Sequence, residues 1–239
     1  MSVRASVAIA AYQGEKYLPI QIDSVLEQLS KDDELVVSYD NSKDNTLELL
    51  NDYAAKDSRV KVFKNDNPGI TGNFNNALAN CRGEYIFICD QDDKWIEGKL
   101  EKVLKHFEEG AEMVIHNGTH TNAELTPIGK PFFEMYRIGD GKLKNFMKPR
   151  YSGCCIAFTK RIKEIILPIP EIYAYDHWIG MVGECFGTIA YEKDVLLLHR
   201  LHSDNVTPEQ RRSLGLIFKT RLKLLFCLIG RKLRCLKNR

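Results

Sequence analysis

No apolar run in this 239-residue chain reaches the ~18 to 20 residues needed to cross a bilayer. No G-x-G-x-x-G follows the first strand-like run, and G-x-x-x-x-G-K-[ST] is missing throughout, which argues against dinucleotide redox chemistry and P-loop hydrolysis. The seven cysteines include the adjacent pair Cys154 and Cys155, yet no C-x-x-C spacing is present, so a structural zinc site is not indicated. Met1-Ser2-Val3-Arg4 leads directly into a strand-like run rather than a signal peptide. Reduced thiols in a cytoplasm are the expectation.

Acidic residues are missing from Arg211 onward, where ten basic residues stand. That leaves 24 basic against 32 acidic residues before it, a body with a balance of −8 and a strongly basic tail. The expected division is a domain over 1–210 and a tail over 211–239. Within the tail, Leu214, Ile217, Phe218, Leu222, Leu225, Phe226, Ile229, Leu233 and Leu236 recur at helical steps, interrupted by Arg221 and Lys232. A basic amphipathic helix reads as lying on an anionic membrane surface or packing on a partner subunit. Nucleic acid is disfavoured, because the body is acidic and the tail is apolar as well as basic.

The composition, 44% hydrophobic and 28% charged, is ordinary for a soluble protein, and the length suits one large α/β domain. Ser6 to Ala11 is an apolar strand. The turn Tyr12 to Glu15 then opens a helix with Pro19 in its first turn and Leu18, Ile22, Val25, Leu26 and Leu29 on one face. A strand at Glu34 to Tyr39 precedes the polar turn Asp40 to Thr46 and a helix carrying Leu47, Leu50 and Tyr53. A third strand, Arg59 to Phe63, leads through Asn67-Pro68-Gly69 to a helix with Phe74, Ala77 and Leu78. Strand and helix alternate with short loops, the pattern of a mostly parallel twisted sheet flanked by helices, as in a Rossmann-like nucleotide-binding half.

The stretch Tyr85 to Cys89 then Asp90-Gln91-Asp92-Asp93 reads as a buried strand ending in three carboxylates. Ligands in open α/β sheets sit at the carboxyl ends of strands, and a cation would relieve the repulsion of charges so close. A solvated acidic turn is the plainer reading of a bare D-x-D. Trp95 suits either a sugar pocket or the core. A helix over Glu97 to Glu109 and a strand over Glu112 to His116 follow. Periodicity fails from Thr121 to Arg150, where Phe132, Phe133, Tyr136 and Phe146 stand among Gly and Pro, reading as a lid, an acceptor platform or a surface loop. Tyr151 to Lys160 reads as a strand, the segment after Tyr173-Ala174-Tyr175-Asp176-His177 as a helix, and Val195 to His199 as a last strand.

The order A-A-Y-Q-G-E-K-Y-L, D-N-S-K-D-N-T, N-P-G-I-T-G-N-F-N-N-A, D-Q-D-D-K-W, S-G-C, Y-D-H-W and R-L-H-S-D-N resembles a family 2 glycosyltransferase of the GT-A fold. The D-Q-D-D-x-W and D-H-W…R-x-H-x-x-N elements are most similar to bacterial rhamnosyltransferase-like members. The resemblance implies inverting transfer of a sugar, rhamnose among the candidates, from a nucleoside-diphosphate donor (dTDP- or UDP-sugar). The implied acceptor is lipid-linked or an oligosaccharide, in surface polysaccharide synthesis at the inner face of a plasma membrane. It implies Mn²⁺ or Mg²⁺ held by Asp92 and His202, with Asp176 as catalytic base. Donor contacts are implied for Ala11, Tyr12, Glu15, Asp40, Asn73, Asp90, Gln91 and Arg200, with Asn76 a further candidate beside the diphosphate. Tyr39 departs from a family pattern that often has two acids there. Asp176 also suits a helix N-cap, and His177 is a rival base. Two other readings stay open: a sugar nucleotidyltransferase, and a degenerate transferase serving as a membrane-bound assembly subunit.

Overall fold

The computed structural model describes residues 3–172, 174–202 and 213–237. The alternation in the first third becomes β1 (Ala5–Ala11), α1 (Leu18–Leu26), β2 (Glu34–Tyr39), α2 (Thr46–Lys56), β3 (Val60–Lys64), α3 (Ile70–Asn80) and β4 (Tyr85–Cys89). The four strands are parallel in the order β3-β2-β1-β4. Side chains alternate across a strand, so Val7, Ile9 and Ala11 pack with Leu18, Ile22 and Val25 of α1, while Ala8 packs with Phe74, Ala77 and Leu78 of α3. Both faces of β1 are therefore covered, which explains its near-continuous apolar sequence.

Beyond β4 the chain forms β5 (Lys94–Trp95), α4 (Lys99–Glu108), β6 (Met113–Thr121), β7 (Pro127–Ile128), α5 (Phe132–Tyr136) and α6 (Lys142–Met147). A 3-10 turn (Gly153–Cys155) leads to β8 (Ile156–Thr159), α7 (Lys160–Ile166), α8 (Tyr175–Phe186), β9 (Ile189–Arg200) and α9 (Leu214–Lys237). The sheet continues β4-β8-β6-β9-β5, with β8 antiparallel to both neighbours and β6 parallel to β9. A parallel nucleotide-binding half is thus completed by a mixed half, and the fold is the expected GT-A class. The seam between them, where β4 meets β8, lies beside the carboxylates that follow β4.

Several local expectations are corrected. Residues 121–150 carry β7, α5 and α6, and Phe132 is buried against Gly118 and Cys155 rather than exposed on a lid. The strand expected over Tyr151 to Lys160 is confined to its second half, because the chain first coils through the 3-10 turn. The strands ending at His116 and beginning at Val195 are parts of the longer β6 and β9. Trp95 is a buried core anchor, its ring against Phe87 and under the Lys99 ammonium.

The tail is a helix, but its apolar stripe is not the docked side. Leu224 and Leu228 are the buried apolar residues of α9, together with Arg221, whose Nε donates to the Met147 carbonyl at 3.2 Å. Arg221 therefore belongs to the contact rather than interrupting it. Leu214, Phe218, Leu222, Leu225, Phe226, Ile229, Leu233 and Leu236 are exposed. Among the described residues no helix is long and apolar enough to cross a membrane. The boundary proposed at 210/211 lies outside the described residues.

Candidate active site

The D-x-D turn begins where β4 leaves the sheet, and the ends of β9 and α8 close over it. Asp92 Oδ2 meets His202 Nε2 at 2.8 Å, and the His202 ring stacks on Tyr17 with centroids 4.5 Å apart. Asp93, fully buried, receives His199 Nδ1 at 3.0 Å and the Arg200 backbone N–H at 3.2 Å. Arg200 Nε donates to the Asp92 carbonyl at 2.9 Å, while its guanidinium lies 4.9 Å over the Tyr17 ring and reaches the Ala123 carbonyl. Asp90 Oδ1 accepts from the Tyr175 hydroxyl at 3.3 Å.

Burial first, then the charges of Asp93 and Asp92, push the Asp90 carboxyl up to about 7. Asp92 is raised as well, by burial and Asp93, against the opposing hydrogen bond from His202. Burial works against a charge on His199, but the Asp93 carboxylate overrides it and carries the imidazole up to about 12. The turn is thus a crowd of carboxylates with the His199 imidazolium and the Arg200 guanidinium beside it, and additional positive charge there is stabilising.

The two loops beside the turn are tied to each other. Gln91 clamps the first loop, its Oε1 accepting from the Tyr12 N–H and its Nε2 donating to the Tyr12 carbonyl, both at 2.8 Å. Glu15 accepts from the Asn45 N–H at 3.1 Å and Asn45 Nδ2 at 2.7 Å, while Gln13 and Gly14 donate to Ser42 Oγ and Thr46 Oγ1. A Cβ on Gly14 would sit 2.6 Å from Gln91 Oε1, so the clamp requires glycine there. Asp40 accepts from Asn65 Nδ2 at 2.5 Å and the Gly69 N–H at 2.9 Å, holding the loop that opens α3. Asn73 Nδ2 donates to the Ala11 carbonyl at 3.0 Å, and its buried Oδ1 has no hydrogen-bond partner among the described residues.

On the other side, Tyr175 and Asp176 stand in the first turn of α8. The Tyr175 ring stacks on Phe74, 4.5 Å between centroids, and a Cβ on Gly153 would collide with its hydroxyl. Asp176 is half-buried, its Oδ1 accepting from the His177 N–H at 2.7 Å. His177 itself is buried, with Nε2 3.0 Å from the Asn145 carbonyl.

Residues 6–166 match the model of the glycosyl transferase family 2, which is most of the chain. The chain belongs to that family. It is 26% identical over 211 residues to the Escherichia coli UDP-Glc:alpha-D-GlcNAc-diphosphoundecaprenol beta-1,3-glucosyltransferase WfaP, covering 87% of this chain and 82% of WfaP. It is 34% identical over 116 residues to the Campylobacter jejuni GalNAc(5)-diNAcBac-PP-undecaprenol beta-1,3-glucosyltransferase, 48% of this chain but only 38% of that enzyme. The fold superposes on Staphylococcus aureus TarS 1–349 in complex with UDP-GlcNAc with a TM-score of 0.75 at 18% identity, over 95% of this chain and 66% of TarS. This family 2 glycosyltransferase chain thus spans well under half of the Campylobacter relative.

Of the residues expected in the site of this glycosyltransferase, Asp92, Arg200 and His202 meet beside Tyr17, Asp90 of the same turn reaches Tyr175, and Ala11, Tyr12 and Gln91 adjoin through the first loop. Glu15, Asp40 and Gln91 hold the loops beside the site through their polar atoms. Asn76 departs from expectation, its Nδ2 donating to Ser38 Oγ at 2.7 Å and the Lys64 carbonyl. Tyr39 is buried in the apolar core, at the end of β2 just before Asp40. Asn205 and Tyr173 lie outside the described residues. Tyr17, Tyr175 and His199 were not expected in the site: the two tyrosines stand only inside the quoted motifs and His199 at the end of an apolar strand, while Asp93 stands among the three carboxylates with no role of its own.

Asp92 and His202 fit a hard divalent ion, one carboxylate and one imidazole side by side in a buried, acid-rich turn. Asp90, Asp93, Cys154 and His199 also bring one ligand atom each within 4.8 Å of one another. Cys155 and burial hold the Cys154 thiol well above its usual range, and His199 is committed to Asp93. That group is the packed floor under the turn.

Proposed function

We propose that this chain is an inverting, metal-dependent glycosyltransferase that uses a nucleoside-diphosphate sugar and a lipid-linked or oligosaccharide acceptor in bacterial surface polysaccharide synthesis. The observation that carries it is the pairing of Asp92, in the turn at the carboxyl end of β4, with His202, while Asp90 of the same turn is bonded to Tyr175, the neighbour of Asp176 in α8. Asp92 and His202 would hold Mn²⁺ or Mg²⁺, and the ion, when bound, supplies positive charge for a departing diphosphate. Asp90, steered by Tyr175, orients the donor. Ala11, Tyr12 and Asn73 line the donor side, while Arg200, Gln91, Glu15 and Asp40 keep its loops in place. Asp176 takes the proton from the acceptor hydroxyl as it attacks the anomeric carbon on the face away from the diphosphate.

The named relatives act on undecaprenol-linked saccharides, which supports a lipid-linked acceptor at the inner face of a plasma membrane. WfaP is named for UDP-Glc and the TarS structure holds UDP-GlcNAc, so a UDP-sugar is the first donor to try, with dTDP-rhamnose beside it. The test follows release of nucleoside diphosphate from a donor panel with Mn²⁺, Mg²⁺ or EDTA and a lipid-linked acceptor. Release that needs metal, Asp92 and Asp176 is expected. Donor binding without release on any acceptor would favour the assembly-subunit reading instead.

A further inference from the structure

α9 has two working faces, and the domain uses one. On the docked face, Leu224 and Leu228 are buried. Four cations there end on backbone carbonyls: Arg221 on Met147, Lys223 on Glu171, Arg231 on Leu167 and Pro168, and Arg234 on Glu164 and Leu167. Arg231 also lies 5.3 Å over the Trp178 ring. These contacts fix the helix to the α7–α8 connection. Arg221 and Leu224 share a small cavity with Ala174 and His177, neighbours of the Asp176 turn.

The other face has no such cover among the described residues. Steps of four, three, four, four and three run from Phe218 through Leu222, Leu225, Ile229 and Leu233 to Leu236, with Phe226 alongside. Phe218 is 70% exposed, Phe226 63% and Leu233 56%. On a helical wheel Lys219 and Lys237 follow one margin of the stripe and Lys232 the other, all exposed, and α9 contains no acidic residue.

We propose that this open face of α9 is an interfacial anchor, its Leu and Phe side chains entering the surface of an anionic bilayer and its marginal lysines meeting lipid phosphates. An apolar stripe edged by cations on both sides matches a leaflet whose acyl region lies beneath a negative headgroup layer. A second α9 laid on the same face would bring the lysine rows together with no acid to offset them. The proposal rests on the lipid-linked acceptor reading for its purpose and on the residues of α9 for its physics. With α9 on the bilayer, the adjoining first turn of α8 is held close to the membrane, where a lipid-linked acceptor is presented.

The test is flotation of the full chain with vesicles of phosphatidylcholine alone or mixed with phosphatidylglycerol. Wild type is expected to float with the anionic vesicles and to be released by salt. Phe218→Ser with Phe226→Ser, and separately Lys219→Glu with Lys232→Glu, should each lower partitioning by about tenfold or more. Melting temperature should be unchanged, because these side chains are exposed. Failure of wild type to float, or flotation unaffected by both double variants, overturns the proposal. So does a dimer in sedimentation that Phe218→Ser with Phe226→Ser dissociates while vesicles capture neither protein. Nucleotide release with a water-soluble acceptor, measured in parallel, separates a failed transferase reading from a failed anchor.

Discussion

His199 Nδ1 lies 3.0 Å from Asp93 Oδ1, joining the end of β9 to the turn after β4 where Asp93 is fully buried. The pair fixes the chain on either side of it, Asp92 upstream and Arg200 and His202 downstream. Removing one member of a buried pair strands the other, so Asp93→Asn should destabilise the fold by about 3 kcal/mol in urea unfolding.

The same pair sets a pH dependence. The folded pKa of His199, about 12, lies above its unfolded value near 6.5. Its contribution is therefore fully present below about pH 6.5 and is lost progressively as pH rises toward 12. Unfolding free energies measured between pH 6 and pH 9 should fall with pH more steeply in wild type than in His199→Gln. Equal slopes in the two proteins would remove His199 as the source.

Much of the scaffold was legible in the sequence because β1, β2 and β4 are covered on both faces and read as uninterrupted apolar runs. The carboxylates after β4 stood out for the same reason, as charge where an apolar strand ends. What was hidden depends on distant packing. That Asp92 would face His202 while Asp93 paired with His199 follows from how β9 returns beside β6, 106 residues later for the second pair. The loop bonds of Gln91 to Tyr12 and of Asp40 to Asn65 and Gly69 were likewise hidden, because they too join residues far apart in the chain. The tail's apolar stripe was visible, but which side of α9 the domain takes was not, because arginine stems and leucines serve equally well in a docked face.

Gln91 bonds the Tyr12 backbone in both directions, so its loss should loosen the first loop without opening the core. Gln91→Leu is expected to raise the donor KM by about tenfold, the equivalent of one good hydrogen bond, with little change in melting temperature. A fall in kcat at unchanged KM would instead assign Gln91 to the reacting end of the donor.

Asp92 and His202 make different demands on a metal. Asp92→Ala removes the carboxylate and should abolish transfer at any Mn²⁺ concentration. His202→Ala leaves the carboxylate, so transfer should persist with the Mn²⁺ requirement shifted upward by about tenfold to a hundredfold. Mn²⁺ binding followed by electron paramagnetic resonance provides the readout independent of turnover. Unaltered Mn²⁺ affinity in both variants would rule out this pair as the metal site.

Gly153 and Tyr175 test the link between the acceptor side and the D-x-D turn. The Tyr175 hydroxyl reaches Asp90 only because position 153 has no side chain, and the ring is held from below by Phe74. Tyr175→Phe loses one hydrogen bond while keeping the ring, and should weaken donor binding by about fivefold, roughly 1 kcal/mol. Gly153→Ala forces the ring itself to move, and with it the start of α8 and Asp176. Its expected signature is a loss of kcat larger than that of Tyr175→Phe, together with a destabilisation of about 2 kcal/mol from overpacking. The double variant Gly153→Ala with Tyr175→Phe removes the hydroxyl that the new methyl meets, so it should recover part of the stability. Additive losses in the double variant would show that the two residues act independently and that Asp90 is oriented by something else.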